Sequence, residues 1–133
     1  MKVLIAEDDF TSRKVISRLL SKYGECDITV DGREAITAFN MSLTSEEPYD
    51  LVCLDILMPE LDGFQVLKTI RTMEQEKGIP KEKQVKVIMT TALSDRKNVA
   101  KAFELGCEAY AGKPIVPEKF ENELRKLGLI PVK

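Results

Sequence analysis

The sequence contains no histidine, and this absence excludes several kinds of catalytic and metal site. Hydrolysis by a serine–histidine–aspartate triad requires an imidazole, and so do histidine-ligated zinc and imidazole acid–base catalysis. None of these three chemistries is open to the side chains of this chain alone.

Cysteine is scarce, and the three thiols form no CxxC pair. An odd number cannot close into intramolecular disulfides alone. Cys53 lies inside an apolar run, and Cys26 and Cys107 lie near predicted strand starts. We therefore expect three buried free thiols, which suits a reducing cytosol.

Long apolar runs and concentrated charge are also absent. No apolar run approaches 18 residues, and the first residues lack the layout of a signal peptide. The 20 basic and 22 acidic residues give a formal net charge of −2, and both signs are spread along the 133-residue chain. We expect one cytoplasmic domain over residues 1–133, with no output domain, no membrane contact and no direct nucleic-acid contact.

Apolar runs alternate with helical patterns five times along the chain. The predicted strands cover residues 2–6, 26–30, 50–54, 85–91 and 107–111, and each is followed by an amphipathic helical pattern. Such alternation predicts an α/β fold in which a doubly wound parallel sheet has helices on both faces. Ligands of these sheets bind beyond the carboxyl ends of the strands.

Acidic residues follow the first and third predicted strands. Glu7, Asp8 and Asp9 come directly after the first strand, and Asp55 comes directly after the third. N-capping explains one aspartate, but several acids at one sheet edge repel one another unless a cation lies between them. These acids would also repel the phosphates of a dinucleotide or flavin, and neither GxGxxG nor GxxxxGK[ST] is present. The sequence therefore predicts a divalent-cation site.

Beside such a cation, Asp55 can act as a nucleophile toward phosphorus and form an aspartyl phosphate. Thr90 and Thr91 end the fourth predicted strand, where a hydroxyl could donate to a phosphoryl oxygen. Lys113 follows the fifth strand, at the edge where carboxylates would attract its charge. Pro114 raises the chance that the preceding peptide bond is cis.

In this order and at these strand ends, the residues resemble the receiver domain of bacterial two-component response regulators, over about residues 2–127. The resemblance implies a flavodoxin-like (βα)5 sheet of five strands in the order 2-1-3-4-5. It implies Asp55 as the phosphoacceptor and Mg²⁺ or Mn²⁺ as the cofactor. Asp8 and Asp9 would hold the cation, Asp9 as a direct ligand and Asp8 largely through water, with Asp55 and the backbone carbonyl of Leu57 as further ligands.

The resemblance also implies residues that respond to the phosphoryl group. Lys113 would pair with the acyl phosphate. Thr91 matches the switch hydroxyl, because Ala92 follows it directly, and Tyr110 matches the aromatic side chain that turns inward when that hydroxyl moves.

The resemblance implies a switch that signals through partner binding, rather than an enzyme acting on a separate substrate. The phosphodonor would be a phosphohistidine of a sensor histidine kinase or a histidine phosphotransfer protein, and the output would come from an unidentified protein target. An intermediate aspartyl-phosphate carrier in a multistep phosphorelay stays open as an alternative. An aspartate-nucleophile phosphatase would carry a second aspartate two residues after the first, where this chain has Leu57.

Two apolar residues lie at positions that are polar in the chemotaxis member of this family. They are Leu57, two residues after Asp55, and Leu93, two residues after Thr91. Apolar side chains cannot orient an attacking water. The sequence therefore predicts slow loss of the phosphoryl group.

Overall fold

The structure, a computed structural model, describes residues 1–92 and 96–132. One parallel sheet holds five strands in the order β2-β1-β3-β4-β5. The strands are β1 Lys2–Ala6, β2 Glu25–Thr29, β3 Leu51–Asp55, β4 Lys86–Thr91 and β5 Ala109–Gly112. The helices are α1 Phe10–Ser21, α2 Gly32–Leu43, α3 Gly63–Glu76, α4 Arg96–Glu104 and α5 Pro117–Lys126, with a 3₁₀ turn at Lys81–Lys83. The predicted α/β class, strand order and helix count are confirmed for these residues.

Each face of the sheet carries its own hydrophobic core. Side chains of β1 alternate between them, so that Val3 belongs to the core that includes residues of α1 and α5, whereas Leu4 belongs to the core that includes residues of α2, α3 and α4. In β3, Cys53 and Leu54 divide in the same way, and every residue of this strand is buried. A central parallel strand covered on both faces is apolar along its length, and this explains the continuous run that predicted β3.

Aspartate residues cap the amino ends of α2 and α3. Asp31 accepts a hydrogen bond from the N–H of Glu34 at 2.9 Å. Asp62 accepts from the N–H of Gln65 at 2.9 Å, and the Gln65 side chain accepts from the Asp62 N–H at 2.9 Å. This second arrangement is a complete capping box, and it fixes the start of α3 just after the loop that follows β3.

Strand boundaries differ from the predicted ones by one or two residues. β5 begins at Ala109 instead of residue 107, because the N–H of Cys107 donates to the Ala102 carbonyl and so completes the turn after α4. β3 begins at Leu51 and includes Asp55, which the sequence placed after the strand. The sequence pattern also predicts a fourth helix from about residue 95 to residue 105, and its predicted first residue lies outside the described residues.

One of the three thiols is less buried than expected. Cys53 and Cys107 are buried, but Cys26 is half-buried because β2 is an edge strand and has a neighbour on one side only. Burial raises the pKa of Cys26, and it raises the pKa of Cys107 to about 11. All three are free thiols, as predicted.

In the described part of the chain, no helix is both long enough and apolar enough to span a membrane.

Candidate functional site

The carboxyl ends of β1 and β3 bring Glu7 and Asp55 side by side. Ala6 pairs with Leu54 in the register of these strands, so Glu7 and Asp55 continue the row by one residue. Glu7 is 1% exposed and Asp55 is 3% exposed. Two carboxylates are therefore buried as neighbours, an arrangement that is costly unless positive charge accompanies them.

Lys113 supplies one positive charge at this point. Its Nζ lies 2.8 Å from Glu7 Oε2 and 3.1 Å from Asp55 Oδ2. The backbone N–H of Lys113 donates to the Thr91 carbonyl at 2.8 Å, and the bond between Lys113 and Pro114 is cis. The ends of β4 and β5 thus bring the lysine to the edge where the acids meet, as the sequence predicted.

Asp8 adds a third carboxylate to the pair. One oxygen from each of Glu7, Asp8 and Asp55 lies within 4.8 Å of the others. If all three are ionised, Lys113 leaves an excess of two negative charges, which one divalent cation would balance. Carboxylate oxygens are the ligands that Mg²⁺ and Mn²⁺ prefer, so the residues present fit such a cation.

The crowding of these groups changes their protonation. Burial raises the pKa of the Asp55 carboxyl, and the adjacent Glu7 raises it further, while Lys113 opposes the rise without cancelling it. Burial lowers the pKa of the Lys113 amine, but its contacts with Glu7 and Asp55 outweigh this effect and hold the pKa above its usual value. Without a cation, Asp55 is therefore easier to protonate, and Lys113 harder to deprotonate, than the same groups free in water.

The backbone that follows β3 packs tightly against Asp55. The N–H of Gly63 donates to the Ile56 carbonyl at 2.7 Å, and the N–H of Ile56 donates to the Thr90 carbonyl at 3.0 Å. A Cβ on Gly63 would lie 2.3 Å from the carbonyl oxygen of Asp55, so only glycine fits there. These contacts hold the backbone of Asp55 against β4 on one side and α3 on the other.

The structure brings Glu7 and Asp8 to Asp55, whereas Asp9 has another role. Asp9 is the N-cap of α1, and its Oδ2 accepts a hydrogen bond from the N–H of Ser12 at 2.9 Å. Hydrogen bonds from Ser12 lower the pKa of Asp9. Among the described residues, the converging group of carboxylates does not include Asp9. The carboxylate of Asp8, rather than that of Asp9, therefore lies with those of Glu7 and Asp55.

Glu7 is the site residue to which the sequence reasoning gave no individual role. Its carboxylate accepts a hydrogen bond from Thr90 Oγ1 at 3.4 Å in addition to the contact with Lys113. A usable signal was present, because Glu7 directly follows the first apolar run just as Asp55 directly follows the third. Because β1 and β3 are parallel neighbours, two residues that directly follow their apolar runs are expected to lie side by side, and this would have predicted Glu7 beside Asp55.

The two predicted switch residues lie in the neighbouring strands β4 and β5. Thr91 is the buried last residue of β4, and Tyr110 is half-buried in β5, where it pairs with Met89. Leu57 follows β3, and 57% of it is exposed. The switch roles and the Leu57 carbonyl ligand stay predictions, and Leu93 lies outside the described residues.

The sequence of this chain matches the profile of a known protein family. The profile described as the response regulator receiver domain matches residues 3–125. Hybrid signal transduction histidine kinase L from Dictyostelium discoideum is 34% identical over 96% of this chain. The probable transcriptional regulator ycf27 from Guillardia theta is 38% identical over 93% of the chain. The chain spans 7% of the length of the first relative and 44% of the second, less than half in each case.

A solved structure shares the fold over almost the whole chain. It is the receiver domain of the histidine kinase CKI1 from Arabidopsis thaliana, in complex with Mg²⁺ and BeF3⁻. The TM-score is 0.81 at 25% sequence identity, and the similarity covers 96% of this chain and 89% of that chain.

Proposed function

The chain belongs to the response regulator receiver domain family, and we propose that it acts as a phosphorylation-activated receiver with Asp55 as the phosphoacceptor. Receiver domains are signalling domains of two-component systems. The proposed donor is a phosphohistidine of a sensor histidine kinase or of a histidine phosphotransfer protein, since this chain contains no histidine. The observation that carries the proposal is the burial of Asp55 beside Glu7 with the Lys113 amine in contact with both.

In the proposed transfer, an oxygen of Asp55 attacks phosphorus while the bond between phosphorus and the donor imidazole nitrogen breaks. The electron pair of that bond returns to the imidazole, and the product is an aspartyl phosphate. The attacking carboxylate must be unprotonated, so the positive charge of Lys113 favours the reactive form of Asp55. The same amine lies 3.1 Å from Asp55 Oδ2 and can pair with the phosphoryl group afterwards.

We assign the cation, Mg²⁺ or Mn²⁺, to Glu7, Asp8 and Asp55. The distances among their carboxylate oxygens and the excess negative charge support this assignment. When bound, a divalent cation neutralises charge on the transferring phosphoryl group. The carbonyl of Leu57 is proposed as a further ligand, and Asp9 is proposed to act through the start of α1.

The proposed output is a change in the surface formed by α4, β5 and α5. Thr91 is the last residue of β4, which lies between β3 and β5 in the sheet, and Tyr110 lies within β5. We propose that phosphorylation biases an existing equilibrium between two arrangements of these elements, and that an unidentified cytoplasmic protein binds one of them.

A second candidate is an intermediate carrier in a multistep phosphorelay. The similarity to a hybrid histidine kinase favours keeping this candidate. A carrier would pass the phosphoryl group rapidly from Asp55 to a histidine phosphotransfer protein. A switch would instead keep the phosphoryl group and gain affinity for its target.

Labelling with acetyl phosphate tests the proposal. The wild-type protein should gain one phosphoryl group in the presence of Mg²⁺ and none in the presence of a chelator. Asp55→Asn should abolish labelling. Asp50→Asn is the matched control, since Asp50 lies just before β3 and its side chain accepts a hydrogen bond from the N–H of Lys2. Cation-independent labelling, or labelling of the Asp55→Asn protein at the wild-type rate, would contradict the proposal.

A further inference from the structure

Arg13 holds the turn between β1 and α1. Its Nη1 donates to the carbonyl of Glu7 at 3.1 Å and to the carbonyl of Asp8 at 3.3 Å. The guanidinium lies over the ring of Phe10, 5.6 Å from the centroid. Arg13 is itself fixed on α1, because its backbone N–H donates to the Asp9 carbonyl at 2.9 Å.

The two carbonyls belong to the residues whose carboxylates converge on Asp55. Glu7 and Asp8 lie between the last residue of β1 and the N-cap of α1, in a segment without regular secondary structure. Their carboxylates repel each other and Asp55, so a freely rotating backbone would let them separate. One guanidinium nitrogen that bridges two successive carbonyls restricts the peptide unit between them.

We propose that Arg13 is a positioning residue for the cation site. By bonding the carbonyls of Glu7 and Asp8, it keeps their carboxylates directed toward the point where the cation binds. Groups that orient metal ligands from outside the coordination sphere commonly change metal affinity by about 10- to 100-fold when they are removed. The inference rests on the proposed function, because it requires that these acids hold a cation.

Charge and positioning predict opposite effects of removing Arg13. The guanidinium is a positive charge beside the site, so electrostatics alone predicts tighter cation binding when it is removed. Loss of positioning predicts weaker binding. Arg13→Met therefore separates the two effects by sign, and methionine forms helix about as readily as arginine.

Lys14 offers a matched control at the next position of α1. Its Nζ also lies over the Phe10 ring, 5.8 Å from the centroid, and the residue is exposed. Among the described contacts, the Lys14 side chain donates no hydrogen bond to the turn. Lys14→Met thus removes the same charge near the same ring and leaves the turn unchanged.

Calorimetric titration with Mg²⁺ tests the proposal on the whole chain. The dissociation constant should rise about 10-fold in Arg13→Met, whereas Lys14→Met should bind as tightly as wild type or slightly more tightly. Arg13→Lys keeps the charge but lacks the planar guanidinium, and it should also bind more weakly than wild type. Urea unfolding without cation identifies which variants are folded. If only one of the two Arg13 variants is folded, its Mg²⁺ affinity alone is sufficient to test the proposal.

Two failures can be told apart. If the wild-type protein binds no Mg²⁺, the proposed function fails. If wild type binds Mg²⁺ and Asp8→Asn weakens that binding, but Arg13→Met binds as tightly as wild type, only the role of Arg13 is refuted.

Discussion

Replacing Asp55 with asparagine should stabilise the cation-free protein. Asp55 is buried beside Glu7, and burial together with that neighbour raises its pKa. The folded chain therefore keeps a proton on Asp55 up to a higher pH than the unfolded chain does. The unfolded state releases this proton first as the pH rises, so the stability falls between the ordinary pKa of an aspartate and the raised value. Asparagine occupies the same volume without this penalty.

The size of the effect follows from opposing charges at known positions. Two carboxylates about 4 Å apart repel by about 4 kcal/mol at an effective dielectric constant of about 20. The Lys113 amine, 3.1 Å from Asp55, offsets much of this repulsion but does not reverse the rise in pKa. With about half of this repulsion offset, we expect a net gain of about 2 kcal/mol at neutral pH. In a domain of this size, the melting temperature should rise by about 5–10 °C.

Urea unfolding in a chelator measures this gain directly. The difference between Asp55→Asn and wild type should be large at about pH 7.5 and smaller at about pH 5, because the penalty develops as the unfolded carboxyl ionises. Adding Mg²⁺ should narrow the difference, since a cation at 10 times its dissociation constant stabilises wild type by about 1.4 kcal/mol. Glu46→Gln, at an exposed loop position, serves as the control for removing one negative charge. An Asp55→Asn protein no more stable than wild type in chelator at about pH 7.5 would refute the reasoning.

Three further predictions concern the neighbours of Asp55. Lys113→Met should lower the free energy of unfolding in chelator by about 3 kcal/mol, because two buried carboxylates lose their counter-charge; an unchanged urea midpoint would contradict this. Asp8→Asn should weaken calorimetric Mg²⁺ binding by about 10-fold or more, whereas Asp9→Asn should leave it nearly unchanged, since asparagine also caps helices well; equal effects would contradict the ligand assignment. Leu57→Asn combined with Leu93→Glu should shorten the phosphoryl lifetime, followed as loss of label after the donor is removed, and an unchanged lifetime would end that hypothesis.

The elements of the fold and most of the site could be predicted from local patterns. Continuous apolar runs occur because β1, β3 and β4 are covered by helices on both faces. Polar residues that follow such runs must meet at one edge of a parallel sheet, and Asp55 and Lys113 do meet there, with the amine 3.1 Å from the carboxylate.

The sequence alone did not show which of the three consecutive acids lie near Asp55, because this depends on the register between β1 and β3. Glu7, Asp8 and Asp9 are equivalent as a cluster in sequence, but each successive residue points in a different direction as the chain leaves β1. The structure directs the first two toward Asp55 and uses the third to cap α1. Arg13 was not predicted, because it acts through backbone carbonyls and a lone arginine on a helix has no distinguishing pattern.

Contacts between distant segments carried no sequence signal either. Arg71 on α3 donates to the carbonyls of Val85 and Gly106 and pairs with Glu74 and Glu108, which ties α3 to the amino ends of β4 and β5. Its partner Gly106 is 35 residues away in sequence. Such a network depends on tertiary packing that periodicity does not encode.

The most direct test is to identify the residue that carries the phosphoryl group. After labelling with acetyl phosphate and Mg²⁺, borohydride reduces an aspartyl phosphate to homoserine, which peptide mass spectrometry can locate. The account predicts homoserine at position 55 alone, and none after labelling in a chelator. Homoserine at Asp8, Asp9 or another acid instead of Asp55, or a stable label that yields no homoserine, would contradict it.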